Sequence, residues 1–261
     1  MLKNLLAVFR YRVLIQSLVA RELKARYRGS VLGFLWSFIN PLLQLVIYWF
    51  VFSYIMPTRG LLGTSPYALF LFTGILPWTW FSASVTESSA VLIAGGNLIK
   101  KILFPAEVLP IVVVLSNLVH FFLGLPILFG FLIYYGKIHW TLVFFPAVVL
   151  LQLVFTLGVC LFVSALAVHF RDVQNIIANV MMLWFFASPV IYSYLTISPS
   201  IQRYLNYNPM THIIVGYHQS MFTGEMGHWP WLLSMVPAAL ITFFLGYYFF
   251  DKLRETFAEE V

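Results

Sequence analysis

Six apolar runs, each of about the 20 residues that a membrane-spanning helix needs, fill most of this 261-residue chain. They lie near 31–56, 66–91, 110–135, 141–169, 176–195 and 231–250. Strict alternation of apolar and polar residues is absent and the runs are too long for barrel strands, so the pattern predicts helices. The expected fold is an all-α integral membrane protein with six transmembrane helices, an N-terminal amphipathic interface helix and a re-entrant hairpin between spans five and six. Two regions follow: a basic interface segment over 1–30 and a six-helix membrane domain over 31–261. Each span carries one proline in its interior, namely Pro41, Pro77, Pro126, Pro146, Pro189 and Pro237. Proline bends or interrupts a helix, which fits both ordinary membrane helices and a bundle bent around a path.

Composition supports lipid as the solvent. Charged residues make up 9% and mean hydropathy is +0.91, whereas soluble domains carry roughly 25% charged residues. Basic residues interrupt the N-terminal thirty throughout, which argues against a cleavable signal. Twelve Lys/Arg residues fall on the side shared by the two termini and three on the other, namely Arg59, Lys137 and Arg203. The positive-inside rule therefore puts both termini in the cytoplasm. The net charge of +6 then reads as a topology signal, and nucleic-acid binding is disfavoured. The single Cys160 sits in an apolar run, so no intramolecular disulfide is available.

Leu2, Leu5, Leu6, Phe9 and Val13 recur at helical spacing among basic residues, as in a helix lying in the membrane interface. Arg21, Lys24 and Arg28 follow at i, i+3 and i+7 and are expected to share one helix face. Two readings stand for them: attraction to anionic lipid, or a seat for a phosphate-bearing head group arriving from the cytoplasm. A glycine break at Gly95 and Gly96 precedes Lys100 and Lys101, and the adjacent pair Arg171 and Asp172 marks another short cytoplasmic turn.

The longest stretch between spans, 196–230, is not a polar tether. Ile213, Ile214, Tyr217, Met221 and Phe222 take helical spacing after Asn208 and Pro209. So short a helix cannot cross a bilayer, and a hairpin dipping back into an outer mouth is expected. Within the spans Glu87 and His120 are ionisable. They are read either as interhelical hydrogen-bonding groups or as pathway or proton-relay groups. No partner charge for Glu87 is evident from the sequence. Aromatic residues are 18% of the chain; their flat apolar faces and polar tips suit the C–H faces and hydroxyls of sugar rings.

Several chemistries lack their motifs. There is no GxxxxGK[ST] phosphate loop, no HExxH or CxxC, and no GxSxG elbow. Only Glu225 supplies a carboxylate near the outer surface, which disfavours a membrane glycosyltransferase.

Five stretches carry a family resemblance. The run from Arg21 through Gly29, Trp36, Asn40 and Pro41 to Leu43 resembles the entry segment of polysaccharide ABC exporter permeases of the O-antigen and teichoic-acid type. Phe104-Pro-Ala-Glu-Val-Leu-Pro110 resembles their loop into span three. Arg171-Asp-Val-Gln-Asn-Ile176, Phe186-Ala-Ser-Pro-Val-Ile-Tyr192 and Asn208-Pro-Met210 resemble their span-five and outer regions. The resemblance implies a homodimer of six-span subunits joined to two ABC ATPase subunits, with ATP and Mg used by that partner and no cofactor on this chain. It implies a channel lined largely by spans one and five, with Tyr48, Trp49, Phe52 and Trp184 as candidate lining. It implies coupling to the ATPase through the N-terminal helix and the 95–104 loop. Asn97, Lys100, Lys101, Phe104, Arg171 and Asp172 are the coupling candidates, and His212, Tyr217, Met221 and Phe222 the outer-gate candidates. The expected activity is export of lipid-linked polysaccharide across a bacterial inner membrane. The rivals are an ABC permease for drugs or small lipids and an ion-coupled transporter using Glu87 and His120. The latter lacks a recognisable internal repeat.

Overall fold

The computed structural model describes residues 11–55, 64, 66–100 and 104–260, all helices, turns and loops. Leu2, Leu5, Leu6, Phe9 and Lys101 lie outside the described residues. The main helices are α1 (Arg12–Arg26), α2 (Trp36–Phe50), α3 (Tyr67–Ala94), α4 (Val108–Tyr134), α5 (Phe145–His169) and α6 (Val173–Phe186). They continue with α7 (Pro199–Leu205), α8 (Pro209–Tyr217) and α9 (Trp229–Leu253). Five segments among the described residues have the length and apolarity to cross a membrane: 33–55, 67–94, 108–134, 140–169 and 229–256.

The fifth predicted span differs. α6 holds 14 residues, about 21 Å at 1.5 Å per residue, against about 30 Å of hydrocarbon. It stops because Pro189 follows: the residue before a proline is pushed out of the helical region, and Ala187–Val190 form turns. The other prolines divide. Pro41, Pro77, Pro126 and Pro237 sit inside α2, α3, α4 and α9, while Pro146 lies in the first turn of α5, where its missing N–H costs nothing.

α3 is the hub. It packs against α4, α5, α6, α2 and α8, and Phe72, Phe81 and Val85 on it are fully buried. The tightest seam joins α5 and α9. A Cβ on Gly158 would come within 2.6 Å of the Phe243 backbone, and one on Gly246 would meet the Gly158 carbonyl. Lipid tails are as apolar as side chains, so helices in a membrane gain by close backbone approach at such small residues. α1 lies alongside α4, with Ile15 and Leu18 packed on Val108 and Val112.

Between α6 and α9 the chain is built into the bundle. Eight of the nine residues of α8, Met210 to Tyr217, are buried, and a π-helical turn, His218–Thr223, extends it to Gly224, whose φ of 73° ends the run. Asn208 staples this segment to α6. Its Oδ1 accepts from Trp184 Nε1 at 2.7 Å and from Met210 N at 3.0 Å, and its Nδ2 donates to the Ala187 carbonyl at 2.8 Å. On α8, His212 Nε2 lies 2.9 Å from the Asn206 carbonyl, which only accepts. His212 therefore carries its proton on Nε2, and its Nδ1 accepts from His228 Nε2 at 2.8 Å. The Trp231 ring stacks on His212 at 5.5 Å. Burial lowers the basicity of His212, and burial together with the neighbouring His212 pulls His228 down to about 4.

Two outcomes follow. Gly158→Ala is expected to cost about 1–3 kcal/mol through overpacking at the α5–α9 seam. Gly130→Ala, with open space around its Cβ, is expected to leave thermal stability in detergent unchanged. For His228, the folded-state value near 4 lies below the ordinary 6.5. Its contribution is thus complete above pH 6.5 and is lost as pH falls towards 4, and His212, lowered by burial, acts in the same direction. The melting temperature is expected to fall across that window, and by less in His228→Gln.

Candidate functional site

Although α3 is buried along most of its length, Thr79 and Thr86 are exposed and Ser82, Ala83 and Glu87 are half-exposed. Steps of three and four residues place them on one face. That face looks out between α2 on one side and α6 on the other, two helices that both pack on α3. A cavity of about 320 Å³ lies on the α2 side, bordered by Ser37, Asn40, Gln44, Thr79, Asn117 and His120. An open cleft of about 440 Å³ lies on the α6 side, bordered by Ser82, Thr86, Glu87, Met181 and Phe185. Ala83 borders both.

A three-residue ring closes one end of this face. Arg26 Nη2 donates to both carboxylate oxygens of Glu87 at 2.9 Å, and its Nη1 donates to Asn117 Oδ1 at 3.2 Å. Asn117 Nδ2 returns to Glu87 Oε2 at 2.9 Å. Both contacts to the carboxylate come from the single nitrogen Nη2, and each is charge-assisted, stronger than a hydrogen bond between neutral groups. The pair cancels both charges in a place where a lone charge is costly. The side chains of Arg26 and Glu87 remain 29% and 38% exposed, so the ring borders the cavities and is not sealed in the core. His120 contributes no bond to it: its Nε2 is buried without a partner, and its ring meets Tyr27 edge-on at 5.9 Å.

The structure corrects the expectation that Glu87 has no partner charge. Arg26 was one of seven basic residues in the N-terminal thirty, and nothing in its spacing marked it out from Arg21, Lys24 and Arg28. Those three are all exposed. Arg28, however, falls beyond the end of α1, so the shared helix face extends only over Arg21 and Lys24. The hydroxyl stripe on α3 was legible only as a polar patch around Glu87.

The four lining candidates are not brought together within one chain. Tyr48 Oη accepts from Gln44 at 3.2 Å, and Phe52 sits edge-on to Tyr67 at 4.5 Å, a residue whose hydroxyl also donates to the Ile191 carbonyl. Trp49 opens instead into an apolar cleft of about 380 Å³ with Phe131 and Tyr134. Trp184 stands across α3, edge-on to Phe81 at 5.2 Å and bonded to Asn208. The outer-gate candidates His212, Tyr217, Met221 and Phe222 are all buried, and Lys137 Nζ lies 4.9 Å from the Phe222 ring centre.

The coupling candidates gather at the end where α3, α5 and α9 finish and α4 and α6 begin. Asn97, Lys100, Arg171 and Asp172 are exposed there. Phe104 packs against two separate clusters, one made with α1 and one with Leu161, Phe250 and Phe257 of the bundle. His169 Nε2 lies 2.9 Å from Thr256 Oγ1, tying the end of α5 to the C-terminal turn.

Residues 13–222 match the sequence family described as ABC-2 type transporter. The chain is 39% identical to the O-antigen export system permease protein RfbA of Myxococcus xanthus over the full length of both. It is 33% identical to a protein of the same description from Klebsiella pneumoniae, over 92% of this chain and 91% of that one. The polysialic acid transport protein KpsM of Escherichia coli is 22% identical over 90% of this chain and 91% of its own. The bundle of apolar helices, the basic end that carries the short turns, and these full-length similarities lead to one conclusion: this chain is a membrane permease of the ABC-2 type transporter family.

Proposed function

We propose that this permease exports an O-antigen-class, lipid-linked polysaccharide across a bacterial inner membrane, powered by separate ABC ATPase subunits. The observation that carries this reading is the 39% identity, over the full length of both chains, to an O-antigen export permease. In this reading two copies pair, each with one ATPase, and both termini face the cytoplasm, as the excess of Lys/Arg on that side supports. The chain crosses the membrane six times, with α6 and the turn at 187–191 making the fifth crossing. The α8 segment re-enters from outside, consistent with the burial of eight of its nine residues.

The cargo's phosphate head meets Arg21, Lys24 and Arg28 at the cytoplasmic surface. The glycan then follows a path bordered by α2, α6 and the hydroxyl face of α3, with Tyr48, Trp49, Phe52 and Trp184 as aromatic surfaces. ATP binding by the partner moves the end that carries Asn97, Lys100, Lys101, Phe104, Arg171 and Asp172. That motion reaches α1 through Phe104 and the interior through Arg26. His212, Tyr217, Met221 and Phe222 close the outer mouth at rest. This is a two-state motion biased by differential contacts.

Two measurements bear on it. Charge reversal at Arg21, Lys24 and Arg28 together is expected to abolish surface polymer while the permease still co-purifies with its ATPase; normal export by that triple variant sinks the head-group role. Separately, Glu87→Gln leaves Arg26 without its counter-charge. It is expected to lower export by about tenfold or more, and exchanging the two charges in Arg26→Glu/Glu87→Arg is expected to restore part of it. Export by the purified permease with no ATPase present would overturn the whole reading.

A further inference from the structure

The cavity of about 320 Å³ between α2, α3 and α4 is at the lower edge of the roughly 300–1,000 Å³ that small-molecule sites occupy. Its walls are mixed in a specific way. Aromatic faces come from Tyr27, Trp36, Trp80 and Phe121, and hydrogen-bonding groups from all three helices. Two of those groups lack a partner. Ser37 is 4% exposed with an unbonded buried Oγ, and His120 Nε2 is likewise buried and unbonded. A buried polar group without a partner costs free energy, and both belong to residues that border this cavity, so a small side-chain rotation towards a ligand would satisfy them.

The charge balance decides what kind of ligand. Arg26 borders the cavity, but both of its donor nitrogens that reach inward are engaged by Glu87 and Asn117. An anion entering here would find a positive charge already neutralised, with a carboxylate behind it. A neutral polyhydroxylated ring finds donors, acceptors and flat apolar faces. Thr79, exposed on the otherwise buried α3, stands on the cavity wall, and the hydroxyl stripe leads from it past Ala83 to the α6-side cleft.

We propose that this cavity is a subsite for one neutral sugar ring of the exported glycan, hydrogen-bonded by Ser37, Asn40, Gln44 and His120 and stacked on Trp36. The inference rests on the polysaccharide reading above and gives it a place of recognition inside a single subunit. It sets the cavity apart from the exposed basic face of α1, which meets the anionic part of the cargo.

The test is made in cells that export their own polymer, with the full chain and its ATPase present. A benzophenone side chain is introduced by Thr79→p-benzoylphenylalanine, and by Leu150→p-benzoylphenylalanine as a lipid-facing control, since Leu150 is exposed on α5. After irradiation, adducts are probed for vicinal diols by periodate oxidation and for phospholipid by phosphorus content. A periodate-positive adduct at 79 and not at 150 is expected. Phospholipid alone at 79, or no adduct during normal export, overturns the proposal. In parallel, Thr79→Trp fills the cavity mouth and is expected to lower surface polymer by about tenfold at unchanged permease abundance, whereas Leu150→Trp leaves it unchanged. Undiminished export by Thr79→Trp overturns the subsite alone. A strain that lacks this chain yet still displays its polymer overturns the exporter reading itself.

Discussion

The ring of Arg26, Glu87 and Asn117 sets the terms for the rest of the molecule. Three helices contribute one residue each, and four hydrogen bonds join them into a closed ring. The ring lets a carboxylate sit beside the cavities between apolar helices with its charge paired. It also holds the C-terminal end of α1 against α3 and α4, so the segment before the first span is fastened to the interior and does not merely float on a lipid surface. Removing either charged partner would leave the other facing a medium that cannot solvate it.

Around that anchor the bundle divides by function. α4, α5 and α9 supply packing, with side chains interleaved along long seams. α2 and α6 leave most of their apolar surface open: Val46, Ile47 and Phe50 on α2, and Ile176, Met182 and Leu183 on α6, are all exposed. α3 lies between the two groups, with its buried faces turned to the first and its hydroxyl face turned to the gap between α2 and α6. Among the described residues two π-helical turns, Val51–Ile55 and His218–Thr223, each extend the C-terminal end of a helix, α2 and α8. Such turns recur at functional positions because they re-aim side chains within a helix.

Much of this was legible in the sequence. The long runs at 67–94, 108–134 and 140–169 follow directly from apolar length, and the buried outer segment follows from helical spacing in a stretch too short to cross. The shortened α6 was less readable, because 176–195 is apolar throughout and hydropathy averages over the turn that Pro189 imposes. The ion pair was not readable at all: Arg26 and Glu87 are 61 residues apart, and only tertiary packing of α1 along α4 brings them together. The same holds for Thr79 and Thr86, which look like ordinary polar interruptions until the burial of their neighbours shows which face is left open. The bond from the Trp184 indole nitrogen to Asn208 was likewise invisible, since 24 residues separate the two.

The backbone contact at Gly158 and Gly246 has a mechanical consequence. Two main chains touching without intervening side chains cannot slip along one another, since each step of a slide would drive Cβ-bearing neighbours such as Phe243 into the opposing strand of atoms. That couple is a fixed mast, so whatever rearrangement widens this protein must be taken up by the loosely clad helices on its other flank.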